Sequence, residues 1–353
     1  MRTVLRQWLC ILLSSALLPG MLWPVALQAA TVQPPAAQAM LDALTRATTA
    51  VVGIKVTAME DARSAETLGL RRGGSGVQIS QDGLILTIGY LMLEAEHIEI
   101  VTQDNRTLPA RAVAYDLATG FGLLRPLLPL RGVGVAPLGS SKDLQPGETL
   151  MAVTGPQADD DGDVSMTRLV NRRAFSGSWE YHIDAALFTS PPVLAGNGNH
   201  SGAPLFNQKG ELMGIGSLLV SDATGENRRL PGNMFVPVDL LRPILAELQR
   251  SGSSTQSRRP WLGITSNDQG GRIQILRVSK ESPAELAGLG AGDVVLAVDD
   301  AKVATLEAFY KKLWDRAAPD AEVRLTVLQG AEIKTIVLKA QDRMLSLKKP
   351  AGI

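Results

Sequence analysis

From residue 51 onward, the chain consists of short runs in which apolar and polar positions alternate, separated by turn residues such as Asp82-Gly83. Alternation with a period of two is typical of β-strands with one buried face. The runs with this pattern are 51–56, 73–80, 84–87, 98–102, 110–114, 123–127, 148–153 and 167–171. Their length and close spacing predict a sandwich or barrel of short strands.

Helical periodicity is scarce in this part of the chain. Residues 39–46 predict a short helix, and residues 239–249 predict the helix that closes an all-β domain. The segment that follows, 250–258, is polar and rich in serine, which is typical of a linker. We therefore expect a domain boundary there.

Beyond the linker, strand and helix patterns alternate. A short helix is predicted to begin after the N-cap Ser282, with Pro283 at its first position and Glu285 completing a capping box, and to end at Gly288. A second helix is predicted at 305–314. The predicted strands are 262–265, 273–278, 293–298, 322–328 and 334–338. This pattern indicates a small, separate α/β domain.

The first 30 residues have the three parts of a secretory signal peptide: the basic Arg2 and Arg6, an apolar run at 8–18, and small residues up to Ala30. We therefore expect export. An uncleaved membrane anchor is the alternative, although the run is shorter than the roughly 20 residues that a span needs. The only cysteine, Cys10, lies in this segment, so the exported part is expected to have no disulfide.

The charge balance removes the electrostatic case for a nucleic-acid partner, because 35 basic residues face 35 acidic ones among 353. The acidic run at 159–163 lacks the spacing of an EF-hand calcium loop. We therefore expect no nucleic acid, no metal and no cofactor.

The candidate chemistry lies in residues 199–206, a bend rich in small residues that leads into an apolar strand. All-β serine hydrolases present their nucleophile in this way, so Ser201 is the candidate, with the backbone N–H groups of Asn199 and Ser201 as an oxyanion hole. A serine also needs a base. The chain has three histidines, and none is a strong candidate for this base. We expect His97 at the surface, His182 as a hydrogen-bonded strand residue, and the side chain of His200 to point away from the neighbouring Ser201.

Six segments carry a resemblance to a known family: 74–77, 201–205, 232–237, 261–264, 282–289 and 291–295. Together they resemble the HtrA (DegP-like) family of trypsin-fold serine proteases with a C-terminal PDZ domain, over residues 48–342. The resemblance implies a mainly β fold: a trypsin-like double β-barrel at 48–250, a linker at 251–259 and a small α/β PDZ domain at 260–345. Residues 1–30, 31–47 and 346–353 are then the signal peptide, an N-terminal segment and a C-terminal tail.

Two positions depart from the family pattern. Tyr90 stands where the family has its catalytic histidine, and Gly120 stands where it has the aspartate that orients the histidine. Only the nucleophile, Ser201, is retained. A tyrosine, with an ordinary pKa of about 10, cannot accept a proton at neutral pH as an imidazole can. The resemblance therefore implies a degenerate catalytic triad.

In a PDZ domain, a loop before one strand offers backbone N–H groups to the terminal carboxylate of a peptide, which adds itself as a strand beside a helix. The resemblance places this loop at Trp261, Leu262, Gly263 and Ile264. It places Leu306, Phe309 and Leu313 near the groove, where they would favour apolar C-termini. The apolar stripe on this helix is equally compatible with a position in the core.

The leading hypothesis is an exported, periplasmic pseudoprotease that acts as an adaptor, scaffold or chaperone in envelope protein quality control. Its expected partners are unfolded or C-terminal peptides of exported proteins and active relatives, and the resemblance implies a trimer. Two alternatives remain open. One is an active serine endopeptidase that uses Ser201 with a non-standard base, and the other is a purely structural envelope protein.

Overall fold

A computed structural model describes residues 35–157, 160–193, 200–316 and 318–348. The predicted signal peptide, Asn199 and the ends of the two terminal segments lie outside these residues. Within them, no helix has the length and apolar character needed to cross a membrane.

Six antiparallel strands form a first closed barrel, which follows helix α1 (Pro35–Thr49). The strands are β1 (Val51–Ala58), β2 (Arg71–Gln78), β3 (Ile85–Ile88), β4 (Ala95–Val101), β5 (Thr107–Tyr115) and β6 (Phe121–Pro126), in the order β1-β2-β3-β6-β5-β4. Helix α2 (Ala65–Leu68) lies between β1 and β2. The predicted Asp82-Gly83 turn joins β2 to β3, and Gly83 has a positive φ of 81°.

A second closed barrel follows, in the order β10-β11-β12-β9-β8-β7. Its strands are β7 (Thr149–Val153), β8 (Val164–Gly177), β9 (Tyr181–Ser190), β10 (Pro204–Phe206), β11 (Leu212–Val220) and β12 (Gly232–Pro237). Strand β8 extends well beyond the predicted 167–171, because its second half pairs with β9 in a long hairpin that closes where Gly177 faces Tyr181. We call residues 177–181 the hairpin tip.

The predicted helix at 239–249 is interrupted. A 3₁₀ turn (Val238–Leu240) is separated from helix α3 (Leu245–Ser251), which ends at the left-handed Gly252. Pro243 explains the break, because it lacks a backbone N–H and disfavours the helical conformation in the residue before it.

The C-terminal domain is built around a six-stranded sheet in the order β14-β15-β16-β18-β19, with β17 paired to β16. Its strands, including the separate β13-β20 pair, are β13 (Pro260–Trp261), β14 (Ile264–Asn267), β15 (Ile273–Val278), β16 (Val294–Val298), β17 (Ala301–Lys302), β18 (Glu322–Gln329), β19 (Glu332–Lys339) and β20 (Gln341–Asp342). Its helices are α4 (Pro283–Leu286), α5 (Leu306–Trp314) and α6 (Arg343–Ser346). Ser282 caps α4 as predicted, since its Oγ accepts a hydrogen bond from the N–H of Glu285 at 3.3 Å.

The apolar face of α5 packs into the core of this domain. Leu306, Phe309 and Leu313 are each 5 % exposed or less and belong to one buried cluster with the strands. The sequence allowed this apolar stripe to lie either beside the peptide groove or in the core. The structure places it in the core.

The linker is packed rather than solvated in its middle. Residues 255–257 form a 3₁₀ turn, and the hydroxyls of Ser254 and Ser257 donate to the buried carboxylate of Asp116 in the first barrel. Asp116 also accepts hydrogen bonds from the N–H and hydroxyl of Thr119, at 2.9 and 2.6 Å. This network attaches the start of the C-terminal domain to the barrels.

Candidate functional site

The bend that carries Ser201 is fixed between the two barrels. The carbonyl of Ser201 accepts a hydrogen bond from the N–H of Ser75 on β2 at 2.8 Å, and the N–H of Gly202 donates to Gly216 on β11 at 2.8 Å. Gly202 has a φ of 76°, and a Cβ there would lie 2.0 Å from the carbonyl oxygen of Ser75. Only glycine fits this position. Asn199, the other predicted contributor to an oxyanion hole, is outside the described residues.

The side chain of Tyr90 reaches Ser201 from the first barrel. Tyr90 lies in a 3₁₀ turn (Gly89–Met92) after β3, and its hydroxyl oxygen is 2.7 Å from Ser201 Oγ and 2.8 Å from the carbonyl oxygen of Ser217. The register of β11 against β12 shifts between Gly216 and Leu218, so Ser217 lies in a bulge. This bulge turns a strand carbonyl into an acceptor for Tyr90.

The chemistry of the three groups gives the hydrogen bonds a direction. A carbonyl oxygen only accepts, and a phenol has one proton to donate. When Tyr90 donates to Ser217, its oxygen is left to accept from the hydroxyl of Ser201. In that arrangement Ser201 is a hydrogen-bond donor to a neutral phenol, which does not remove its proton.

Burial is the main influence on the Tyr90 hydroxyl. It raises the pKa of Tyr90 to about 12, while the hydrogen bond with Ser201 lowers that pKa in part. The phenol is therefore neutral throughout the physiological pH range. It cannot act as the base that a serine nucleophile needs.

Gly120 contacts the turn that carries Tyr90 through its backbone. Its carbonyl accepts a hydrogen bond from the N–H of Gly89 at 2.7 Å, next to Tyr90. Its φ is 83°, and a Cβ there would lie 3.3 Å from the hydroxyl oxygen of Tyr181, which donates to Thr119 at 2.6 Å. Gly120 thus contacts the turn that carries Tyr90, and Tyr90 in turn contacts Ser201.

Arg72 supports this arrangement and has no counterpart in the sequence predictions. Its buried guanidinium donates to the carbonyl of Leu93 at 2.7 Å, to that of Tyr90 at 3.2 Å and to the hydroxyl of Ser64 at 2.8 Å. It thereby holds the turn that carries Tyr90. The alternation of β2 places Arg72 on the buried face, but the partners of that side chain come from elsewhere in the chain.

The three histidines occupy different places. His97 is exposed on β4, and His200 is buried in the bend itself. His182 lies on β9 with Nδ1 2.9 Å from Ser176 Oγ and Nε2 3.2 Å from Asp184 Oδ1. Both of its ring nitrogens are engaged by these neighbours, which is the arrangement of a hydrogen-bonded strand residue.

One group of side chains in the described ranges has the composition of a metal site. His182, Asp184 and Glu307 offer ligand atoms that lie within 4.8 Å of one another. The ammonium of Lys311 is 3.0 Å from Asp184 Oδ1 and 2.8 Å from Glu307 Oε1. Lys311 already supplies the positive charge that these carboxylates attract, so the group is an ion-pair network between β9 and α5.

The predicted carboxylate loop, residues 261–264, contacts a carboxyl group of the chain itself. The N–H groups of Leu262, Gly263 and Ile264 all donate to the side chain of Glu180, at 3.1 to 3.2 Å. Trp261 pairs with Gln341 through β13 and β20. Glu180 was not among the predicted site residues, since a glutamate in a hairpin turn has no sequence feature that marks such a contact.

Comparisons with known proteins agree with this architecture. Residues 74–215 match the trypsin-like peptidase domain family, and residues 260–340 match the PDZ domain family. A probable periplasmic serine endoprotease, DegP-like, from Halomonas elongata is 29 % identical over 292 residues, which cover 79 % of this chain and 58 % of that relative. The chain therefore spans somewhat more than half the length of this curated relative.

Solved structures share the fold. The serine endoprotease from Yersinia pestis superposes with a TM-score of 0.52 at 23 % identity, over 86 % of this chain and 97 % of that one. The HtrA-type protease AlgW with decapeptide gives a TM-score of 0.52 at 20 % identity, over 89 % and 98 %. The predicted fold class is confirmed: the chain consists of a trypsin-like peptidase domain followed by a PDZ domain, and HtrA/DegP proteases are its homologues.

Proposed function

We propose that this protein is an HtrA-like pseudoprotease, which holds polypeptides without cleaving them. The observation that supports this proposal most directly is the contact of Ser201 Oγ with the hydroxyl of Tyr90, which in turn lies 2.8 Å from the carbonyl of Ser217. Burial raises the pKa of Tyr90 to about 12, so the group beside the serine is not a base. In subtilisin, loss of the catalytic histidine or serine lowers turnover roughly 10⁶-fold.

The PDZ domain is the second part of this proposal. Its carboxylate loop places three N–H groups around one carboxyl group, which is the geometry that a peptide C-terminus requires. The related fold of AlgW is known with a bound decapeptide. We propose that the protein binds unfolded or C-terminal peptides of exported proteins, and that it works as an adaptor, scaffold or holdase.

The proposed compartment is the periplasm. The signal-peptide pattern at 1–30 and the periplasmic name of the Halomonas elongata relative both favour export. Association with active relatives, and a trimer of this chain, are further parts of the proposal that follow from the family resemblance.

Hydrolysis of casein by the purified protein, compared with its Ser201→Ala variant, tests the pseudoprotease proposal. We expect equal background rates and no labelling of Ser201 by a fluorophosphonate probe. Turnover or labelling that disappears with Ser201→Ala would instead support an endopeptidase with a non-standard base. His182→Ala and His97→Ala variants would then show which imidazole takes part.

An array of peptides with free and amidated C-termini, probed with the full chain, tests the binding proposal. We expect retention of peptides that end in an apolar residue with a free carboxylate, and no retention of the amidated set. Equal absence of binding to both sets would favour a purely structural envelope protein.

A further inference from the structure

The tip of the β8-β9 hairpin is inserted into the PDZ domain. The carboxyl group of Glu180 lies within 3.1 to 3.2 Å of the backbone nitrogens of Leu262, Gly263 and Ile264. Glu180 is 3 % exposed, and its backbone has a positive φ of 58°. A buried glutamate in a left-handed conformation is uncommon, and here three backbone N–H groups converge on its side chain.

The hairpin tip also makes the backbone contact that a bound peptide would make. The N–H of Ser266 on β14 donates to the carbonyl of Ser178 at 2.8 Å. Ser178 lies two residues before Glu180, and Ser266 lies two residues after Ile264, so the two segments run in opposite directions. This is the direction of an antiparallel strand added to β14, with its carboxyl group at the loop.

Helix α5 supplies a further contact from the opposite side. The hydroxyl of Tyr310 donates to the carbonyl of Gly177 at 2.7 Å and accepts from the N–H of Glu180 at 3.2 Å. The hairpin tip is thus bound to the loop, to β14 and to α5. These are the three elements between which a PDZ ligand lies.

We propose that the hairpin tip is an internal ligand of the PDZ domain, and that a polypeptide with a free C-terminal carboxylate binds this groove by displacing Glu180. The inference rests on the proposed peptide-binding function, because Glu180 is the group that a bound peptide would have to displace. The external ligand takes over the N–H groups of Leu262, Gly263 and Ile264, and its last residues replace 178–180 beside β14. Binding of a C-terminus is therefore coupled to release of the PDZ domain from the trypsin-like domain.

Affinity measurements on the full chain test this competition. The probe is a labelled decapeptide that ends in leucine with a free carboxylate, and the same peptide with an amidated end is the control. Glu180→Ala removes the internal carboxyl group, and Tyr310→Phe removes two hydrogen bonds to the tip without touching the loop. We expect at least about tenfold tighter binding for Glu180→Ala, a smaller gain for Tyr310→Phe, and no binding of the amidated peptide.

A matched control separates displacement of Glu180 from general loosening between the domains. Arg63 of the first barrel and Glu281 of the PDZ domain form an exposed ion pair that does not involve Glu180 or the N–H groups that contact it. Glu281→Gln removes this pair and should leave the affinity for the peptide unchanged. Wild-type protein that binds the peptide as tightly as Glu180→Ala would overturn the inference, and so would an equal gain from Glu281→Gln.

Hydrogen exchange provides a readout that needs no peptide. In the wild type, the amides of Leu262, Gly263 and Ile264 should be protected, and in Glu180→Ala and Tyr310→Phe they should exchange faster. If exchange rises but no variant binds the peptide, the proposed peptide binding fails while the internal ligand stands. If exchange is unchanged in both variants and each is folded by circular dichroism, the internal ligand itself is excluded.

Discussion

The hydroxyl oxygen of Tyr90 lies 2.7 Å from Oγ of Ser201, and this contact joins a turn of the first barrel to the bend that carries the serine in the second. The same hydroxyl is 2.8 Å from the carbonyl of Ser217. Tyr90 therefore connects the two barrels through its hydroxyl group. The consequences for stability and for activity can be separated by substitution.

Replacing Tyr90 by phenylalanine keeps the ring and removes both hydrogen bonds. Because Ser201 and the carbonyl of Ser217 then lose a partner at a largely buried position, we expect the free energy of unfolding to fall by about 1 to 2 kcal/mol. Urea denaturation measures this loss. Background hydrolysis of casein should not change, and a fall in Ser201-dependent hydrolysis would contradict the structural role assigned to Tyr90.

If Tyr90 and Gly120 occupy the histidine and aspartate positions of the family, as proposed, restoring those two residues tests whether they account for the proposed lack of activity. We expect the double variant Tyr90→His with Gly120→Asp to be labelled at Ser201 by a fluorophosphonate, since an imidazole and an orienting carboxylate are then available. The aspartate must adopt the φ of 83° at this position, which costs roughly 1 to 2 kcal/mol. The triple variant with Ser201→Ala is the control. Labelling that stays absent in a folded double variant would mean that the bend itself is not competent.

The pH dependence of peptide binding follows from Glu180. Burial raises the pKa of this carboxyl to about 7, against the hydrogen bonds from Leu262, Gly263 and Ile264 and the attraction of Arg343. A raised pKa means that the docked tip binds a proton more tightly than the released tip does, so protonation stabilises docking. This stabilisation is fully present below the ordinary glutamate pKa of about 4.3, and it is lost as the pH rises through about 7. The tip should therefore be easier to displace at pH 8 than at pH 6.

We accordingly expect the labelled decapeptide to bind more tightly at pH 8 than at pH 6, because its own terminal carboxylate is ionised at both values. The other charged or titratable groups that interact with Glu180 are Tyr310, Arg259 and Arg343. Burial raises the pKa of Tyr310 and lowers that of Arg259 only to about 10, so neither of these two changes its charge in this window. In Glu180→Gln the difference between the two pH values should disappear, and a dependence that survives this substitution would assign it to another group.

The network around Asp116 gives a prediction about the linker. Asp116→Ala leaves the hydroxyls of Ser254, Ser257 and Thr119 without their buried acceptor, so we expect a loss of roughly 3 kcal/mol in the free energy of unfolding. Limited proteolysis should then cut within residues 251–259 earlier than in the wild type. Asp82→Ala removes a partly exposed ion pair with Arg125 and is the control, with a smaller expected loss. Equal resistance of Asp116→Ala to proteolysis would show that the linker is held by other contacts.

Local patterns were enough to predict most strands and the cap at Ser282, because these depend on residues close together in the chain. The break at Pro243 was missed, although proline is a local signal, because the apolar periodicity on either side outweighed it. Leu306, Phe309 and Leu313 could not be divided between core and groove, since a helix stripe has the same pattern in both places. Their burial depends on the sheet that packs beneath them.

The site was predictable only as a set of positions. Tyr90, Gly120 and Ser201 could be aligned with a family motif, but the bulge that turns the carbonyl of Ser217 toward Tyr90 is a property of strand pairing. Arg72 and Glu180 illustrate the same limit. Arg72 donates hydrogen bonds to the carbonyls of Tyr90 and Leu93, and Glu180 accepts them from three amides of the carboxylate loop. These partners are backbone groups distant in the sequence, and backbone groups carry no sequence signal.

The linker anchored on Asp116 determines how strong an external ligand must be. Because Ser254 and Ser257 attach the chain to the first barrel only a few residues before β14, a released hairpin tip stays close to its groove. Short tethers of this kind give effective concentrations in the millimolar range. To occupy the groove, a free C-terminus must outcompete the tethered hairpin tip, either by a higher intrinsic affinity or by a higher concentration. The PDZ domain would then respond to an accumulation of exposed chain ends, with a threshold set by the protein's own covalent connection.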